Sequence, residues 1–334
     1  MKTTRCIKSF LVALLLTMLA GACKRAPAPT VPLMNDLGDH HYAITTSSPL
    51  AQQYFDQGLR LYYAFNHAEA RRAFEECTRQ DPNAAMCHWG ISASYGPNIN
   101  MPMDRAAALE ACAALQKALA VQQHASEKER ALIGTLVPRF AADPPEDRAA
   151  LDAAYAQAMR DFVRRYPDDL EGATLLAESI LDLSPWNYWT ADGQPRESTP
   201  EALAQLERVM AANVNHPGAN HFYIHAVEAV QPERALASAE RLASLIPGAG
   251  HIVHMPGHIY IRVGRYMDAI AANEHAVHQD ETFIKERHPE PGMYTIGYYP
   301  HNYDFLAFAS SMVGRSQQAI GAAEKIHDLL PESL

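Results

Sequence analysis

The chain has 334 residues, with 28 Lys and Arg against 38 Asp and Glu and a formal net charge of −10. So acidic a balance excludes nucleic acid as the main partner, because a phosphate backbone demands a basic face. Beyond the first residues no apolar run is long enough to cross a bilayer as a helix.

At the N-terminus Lys2, Arg5 and Lys8 precede the uncharged run Leu11 to Ala20, which is too short for a permanent membrane helix and predicts a secretory leader over 1–23. Its end, Leu19-Ala20-Gly21-Ala22-Cys23, resembles the lipobox of bacterial lipoproteins, which implies a lipidated Cys23 as the mature N-terminus. Plain cleavage is the alternative, since Ala20 stands where that motif usually has leucine. The expected location is the periplasm or the envelope, with a lipid on Cys23 as the sole membrane contact. An Ala/Pro-rich stretch then predicts a linker over 24–45, and a helical domain fills 46–334. Cys77, Cys87 and Cys112 remain; one disulfide, Cys77 to Cys87 across successive helices, is the most they can form. Three unpaired buried thiols is the favoured reading.

Internal periodicity begins at Tyr54: Tyr54, Gly58 and Leu61 are followed by Ala70, Phe74 and Pro82. Small Gly58 and Ala70 let two helices approach, Phe74 fills the gap between them, and Pro82 ends the second helix. Looser copies follow. Met86 to Gly90 opens a hairpin with Ala106 to Val121, Ser126 to Phe140 pairs with Arg148 to Tyr166, and Pro217 and Pro247 mark further boundaries. The clearest late copy is Gly257, Tyr260, Gly264, Tyr266, Ala269 and Ala276; a last one runs through Ala307, Gly314, Ala319 and Pro331. The expected fold is all-α, a right-handed solenoid of about six helical hairpins, with insertions near Ser184 to Thr199 and Glu281 to Tyr299. With Leu334 so soon after Pro331, the last apolar face is capped by Lys325 to Leu330 or covered by another surface.

These spacings resemble the tetratricopeptide repeat superfamily. The second half also resembles a group of bacterial tetratricopeptide proteins through His216-Pro217-Gly218-Ala219-Asn220-His221-Phe222-Tyr223-Ile224-His225-Ala226-Val227-Glu228, Gly250-His251-Ile252-Val253-His254-Met255-Pro256-Gly257-His258-Ile259-Tyr260, and Tyr298-Tyr299-Pro300-His301-Asn302. Asp304 stands where that text leads one to expect histidine. The resemblance implies an α-solenoid whose first helices (A helices) line a concave groove that receives a peptide or an envelope protein. It implies no enzyme.

Two positions of each A helix, seven residues and so two turns apart, share the groove face. In the four later repeats the first holds Glu171, His221, His251 and His301, and the second Glu178, Glu228, His258 and Phe308. His225, His254 and Asp304 lie between them on the same face. His221, His225, Glu228, His251, His254, His258, His301 and Asp304 are therefore the candidate metal ligands. Imidazole and carboxylate suit copper, zinc, iron or manganese, and histidines at i,i+4 reach one ion. The other reading of the same face is a polar groove without metal. His88 is expected in the groove wall, and His275 and His278 on the surface. His40 and His41, in the linker, carry a weaker expectation of a second metal contact. Pro256 is expected to kink its helix and splay His254 from His258. Pro185-Trp186-Asn187-Tyr188-Trp189 reads as a lid, a stacking platform or a buried plug, and Met101 with Met103 points weakly to copper. No phosphate-cradling glycine loop, nucleophile elbow, Cys-x-x-C or HExxH stands in the chain.

Overall fold

The computed structural model describes residues 28–330, so the expected leader, Cys23, Pro331 and Leu334 lie outside the described residues. From Val31 onward the described residues form one compact unit. The expected linker is thus partly packed: Leu37 and Ile44 are buried, the Met34 amide donates to Gln57 Oε1 at 2.8 Å, and the Gly248 amide donates to the Asp36 carbonyl at 2.8 Å. Residues 31–48 form a non-helical strap over the repeats.

Among the described residues fifteen α-helices follow: α1 Pro49–Tyr63, α2 His67–Gln80, α3 Ala85–Ala93, α4 Arg105–Val121, α5 Glu127–Thr135, α6 Ala149–Arg165, α7 Leu170–Leu181, α8 Thr199–Ala212, α9 Pro217–Val227, α10 Leu236–Leu245, α11 Gly250–His254, α12 Pro256–Arg262, α13 Tyr266–Arg287, α14 Tyr299–Met312 and α15 Ser316–Leu329. Several start where the sequence offers a start. Ser48 caps α1 with Pro49 behind it, and Ser126 with Glu129 forms a capping box on α5. Successive helices pair as seven helical hairpins, with α11 and α12 together serving as the first helix of one. That is one more than the expected six. Pro256 divides α11 from α12, since its ring lacks the N–H that Ile252 would bond. The second insertion is shorter than expected. Helix α13 continues to Arg287, His288 turns it in the left-handed region at φ 47°, and a π-helix, Met293–Tyr298, leads into α14.

The repeat landmarks act as the sequence suggests. A Cβ on Gly58 would lie 2.6 Å from the Phe74 ring and one on Gly90 2.5 Å from it, so Phe74 is clamped between α1 and α3. Cys77 and Cys87 are bonded, with Cα atoms 5.6 Å apart, while Cys112 is free. This corrects the favoured reading of three thiols: the α2–α3 turn brings the two cysteines into register. The insertion aromatics divide between roles. Tyr188 is buried and Trp189 donates its indole N–H to the Ala226 carbonyl at 2.8 Å, whereas Trp186 stands half-exposed.

The superhelix closes on its own beginning. Tyr62 donates to Glu178 at 2.8 Å, Tyr63 donates to Glu171, and a Cβ on Gly218 would lie 2.5 Å from the Tyr63 ring. The α1–α2 turn, with Phe65 in the left-handed region at φ 57°, therefore sits among the later A helices. A buried ion pair, Arg139 to Asp182 at 3.2 Å, lies beside this seam, its guanidinium 4.2 Å from the Tyr155 ring centroid. Among the described residues no helix is long and apolar enough to cross a membrane. Replacing Phe74 by alanine removes the wedge shared by three helices and should cost about 3–5 kcal/mol in chemical denaturation; a loss under about 1 kcal/mol would show that the clamp is not the organising contact.

Candidate metal centre

The closed groove gathers six of the eight candidate residues into two groups of three histidines. His221 and His225 of α9 meet His251 of α11; His254 and His258, on either side of Pro256, meet His301 of α14. Within each group one ligand atom per residue lies within 4.8 Å of the others. Five of the six are buried and His301 is half-buried.

Hydrogen bonds fix which nitrogen faces which way. His221 Nδ1 is 2.7 Å from the Tyr63 carbonyl, which can only accept, so Nδ1 carries the proton. His225 Nδ1 and His258 Nδ1 lie 3.1 and 2.7 Å from the two carboxylate oxygens of Glu228 and donate to them. His254 Nδ1 donates to Asn273 Oδ1 at 2.6 Å; the Asn273 amide is oriented because its Nδ2 donates to the Ala269 carbonyl at 2.8 Å. In the neutral form of these four imidazoles the Nε2 lone pair points away from the Nδ1 partner. His221 Nε2 lies 3.1 Å from both His225 Nε2 and His251 Nε2, and His258 Nε2 lies 3.4 Å from His301 Nε2. His254 Nε2 has no hydrogen-bond partner among the described residues. The His221 and His225 lone pairs repel at such a distance unless a cation lies between them, whereas His251 and His301 can donate from Nε2; nitrogens bound tetrahedrally to one zinc-like ion at ~2.0–2.1 Å stand about 3.3 Å apart.

Electrostatics agree with the geometry. Burial, reinforced by neighbouring imidazoles, lowers His221, His251 and His254 well below the usual histidine range and brings His301 to about 3. Burial also lowers His225, against the opposing pull of Glu228. Neutral imidazole is the ligating form. Burial alone would raise Glu228, but the two imidazoles that donate to it, His258 and His225, outweigh burial and keep it ionised. An apolar lid covers each group. Phe65 packs on His221 at 4.5 Å and His251 at 5.3 Å between ring centroids, and Phe305 packs on His254, His258 and His301 at 4.6, 4.5 and 4.7 Å.

The other two candidates stand apart from the ligand nitrogens. Glu228 is an outer partner that orients imidazoles from both groups, and Asp304 is exposed while its neighbour Phe305 faces the histidines. His88 is half-buried on α3 and belongs to neither group, and His275 and His278 are exposed on α13. Tyr63, Phe65, Asn273 and Phe305 are parts that sequence reasoning missed. Asn273 carried a signal, a polar residue at a buried position of a B helix facing Gly257.

His40, Glu171 and His216 form a further cluster, with Glu171 Oε1 2.8 Å from His40 Nε2 and 3.2 Å from His216 Nε2. It fits an ion poorly. His216 caps α9 by accepting the Ala219 amide on Nδ1 at 3.2 Å, so its Nε2 carries the proton and faces the carboxylate. Burial would raise Glu171, yet His216 and His40 hold it well below the usual carboxylate range. The cluster is a clamped carboxylate that ties strap, α1 and α9 to α7.

No protein-family model matches the chain, and no curated protein does. Among solved structures the chain is similar to MamA, at 14% identity over 56% of this chain and 96% of that one, with a TM-score of 0.41. It is also similar to a tetratricopeptide protein of the thermophile Thermus thermophilus, at 13% identity over 79% and 98% with a TM-score of 0.34. A third is the C-terminal part of a tetratricopeptide repeat-containing protein of Cytophaga hutchinsonii, at 14% identity over 83% and 96% with a TM-score of 0.38.

Acid should destabilise the metal-free protein. His67, buried beside Phe65 and accepting the Asn98 amide on Nδ1 at 3.2 Å, is lowered by burial, then by Arg71 and Arg139, to about 3. With its folded value below the unfolded one of ~6.5, the unfolded chain binds the extra proton. Its contribution is complete above pH ~6.5 and is lost as pH falls toward the folded value, at up to about 1.4 kcal/mol per pH unit for each such group. Denaturation midpoints of chelated protein should decrease as the pH is lowered from about 7.5 to about 4.5; a flat profile would mean that the buried imidazole is already charged.

Proposed function

We propose that the protein is an exported tetratricopeptide-type solenoid that binds a transition-metal ion on the histidines of its later A helices. The observation that carries this reading is the pair His221 Nε2 and His225 Nε2, 3.1 Å apart with both Nδ1 protons committed elsewhere. An all-imidazole donor set suits copper, zinc or iron better than manganese, which prefers oxygen. Three protein nitrogens leave a coordination position open, as in catalytic rather than purely structural sites. Export is supported by the charged and apolar leader and by the Cys77–Cys87 bond, which persists in an oxidising compartment. Cys23 supplies the anchor if it is lipidated.

The tetratricopeptide scaffold also suits protein interaction. Its own α1–α2 turn fills the groove where a peptide would lie, so the surface for a partner is the exposed apolar face of α13–α15, with Met267, Phe308, Met312 and Ile320 about half exposed. This second reading is compatible with the first.

Protein purified without a histidine tag or chelator should carry copper, zinc or iron by elemental analysis. H225A should lose affinity for added zinc at least ~10²-fold, as ligand loss exceeds the 10–100-fold effect of outer partners, with far-ultraviolet circular dichroism unchanged. An empty wild-type chain that also refuses zinc, copper and cobalt would leave a metal-free scaffold.

A further inference from the structure

The two groups do not share a ligand. Each takes an i,i+4 pair from one A helix, His221 with His225 and His254 with His258, and completes it with the first groove histidine of the next, His251 and His301. The repeat has written the same three-nitrogen arrangement twice, one hairpin apart. Each copy has its own phenylalanine lid and at least one Nε2 without a proton donor: the first in the facing pair His221 and His225, the second in His254. They meet only at Glu228, whose Oε1 orients His225 of the first copy and whose Oε2 orients His258 of the second. Glu228 also lies close enough to those two Nδ1 atoms to form a ligand group with them. An ion there would displace both N–H donors and move the protons to Nε2, where His225 Nε2 already faces the bare His221 Nε2 at 3.1 Å. The carboxylate is better used as the acceptor that it is.

Both copies face one cavity of about 250 Å³, lined by His225 and His251 from the first, His258 and His301 from the second, and Trp186 and Tyr298. Trp186, held in the left-handed region at φ 62°, sets its ring edge-on to His225 with 5.2 Å between centroids. The open position of each three-nitrogen site can therefore be reached from the same small chamber. A cavity of this size admits a molecule of a few atoms or a single small ring.

We infer that the groove holds two metal ions as one dinuclear centre, His221/His225/His251 and His254/His258/His301, with Glu228 as the shared outer carboxylate and the Trp186 chamber receiving a small anionic donor that bridges both ions. This rests on the proposed metal-binding reading and extends it from one ion to two with a common ligand. A bridging ligand would satisfy both open positions at once and be polarised by both ions.

The test is titration of the chelated full chain with copper(II), followed by azide as the probe anion, read by the azide-to-copper absorption band. Wild type should take two coppers, H251A and H301A one each, and the double variant none. Azide should saturate at one per two coppers in wild type and bind at least 10-fold more weakly to either single variant. Wild type binding one copper would overturn the dinuclear centre while leaving the metal reading intact; no copper at all would overturn both. Two azides per chain, or equal azide affinity in the variants, would overturn the shared chamber. The wild-type titration decides these points even if a variant misfolds, and circular dichroism identifies one that does. E228Q should keep two coppers and weaken both sites together; loss of one equivalent alone would make Glu228 a ligand instead.

Discussion

The contact on which fold and site both depend is the Tyr63 main-chain carbonyl accepting the Nδ1 proton of His221, 158 residues away, at 2.7 Å. Tyr63 ends α1, where a helix leaves its last carbonyls without internal partners. One of those orphan acceptors is satisfied by an imidazole from the fifth hairpin, and that bond selects the tautomer of the first histidine in the cluster. The same closure brings Phe65 over His221 and His251 and sends the Tyr62 and Tyr63 hydroxyls to Glu178 and Glu171. Without it the solenoid would be an open arc, and the histidines a wet polar stripe.

The legibility of the chain divides along this line. Hairpins, caps and the kink at Pro256 follow from local spacing and local chemistry, so Gly58, Phe74, Ser126 and Pro256 could be assigned from residues a few positions away. The ruler that put His221, His251 and His301 on one face needed only the helical period. What it could not supply was sorting. Histidines at 251 and 254 share helix α11 yet enter different groups, because three positions leave them about 60° apart around the helix, one toward α9 and the other toward α14. Nor could it supply the contribution of the first hairpin, since superhelical closure is set by the sum of small rotations over many repeats. Asp304 illustrates the limit: at three residues from His301 it shares the nominal face, but the bulkier Phe305 occupies the site and Asp304 goes to solvent.

The strap shows how composition can mislead. Pro and Ala before residue 32 read as tether, and the polar text that follows extends that reading to 45. Yet Leu37 is almost wholly buried, Gly38 lies where a Cβ would stand 2.0 Å from the Leu245 carbonyl, and the His40 carbonyl accepts from Arg60 Nε at 2.7 Å. A non-helical segment can be structural when its backbone groups find partners in the helices it crosses. Partners on the first and fifth hairpins, the same pair that meets at Tyr63 and His221, are joined by Glu129 of the third and Glu171 of the fourth, so the strap reinforces the closure from outside.

Closure has an energetic consequence that bears on the ion. A buried acceptor left without a partner costs about 1–3 kcal/mol, and each group confines several bare nitrogens beneath an apolar ring. Summed over two groups, the penalty is a sizeable part of the ~5–15 kcal/mol by which a whole domain is ordinarily stable. Hydrogen bonds remove it only in part: His251 and His301 can donate from Nε2 to His221 and His258, but the Nδ1 protons of His225 and His254 are committed to Glu228 and Asn273 and the phenylalanines offer none. Structural zinc sites release about 10–16 kcal/mol on binding, enough to offset such a deficit. Under the proposal the ion then supports the packing of the second half, and its loss loosens the contacts among α9, α11, α12 and α14 without unwinding them, while the disulfide-linked first hairpins are held by the apolar wedge of Phe74 between Gly58 and Gly90.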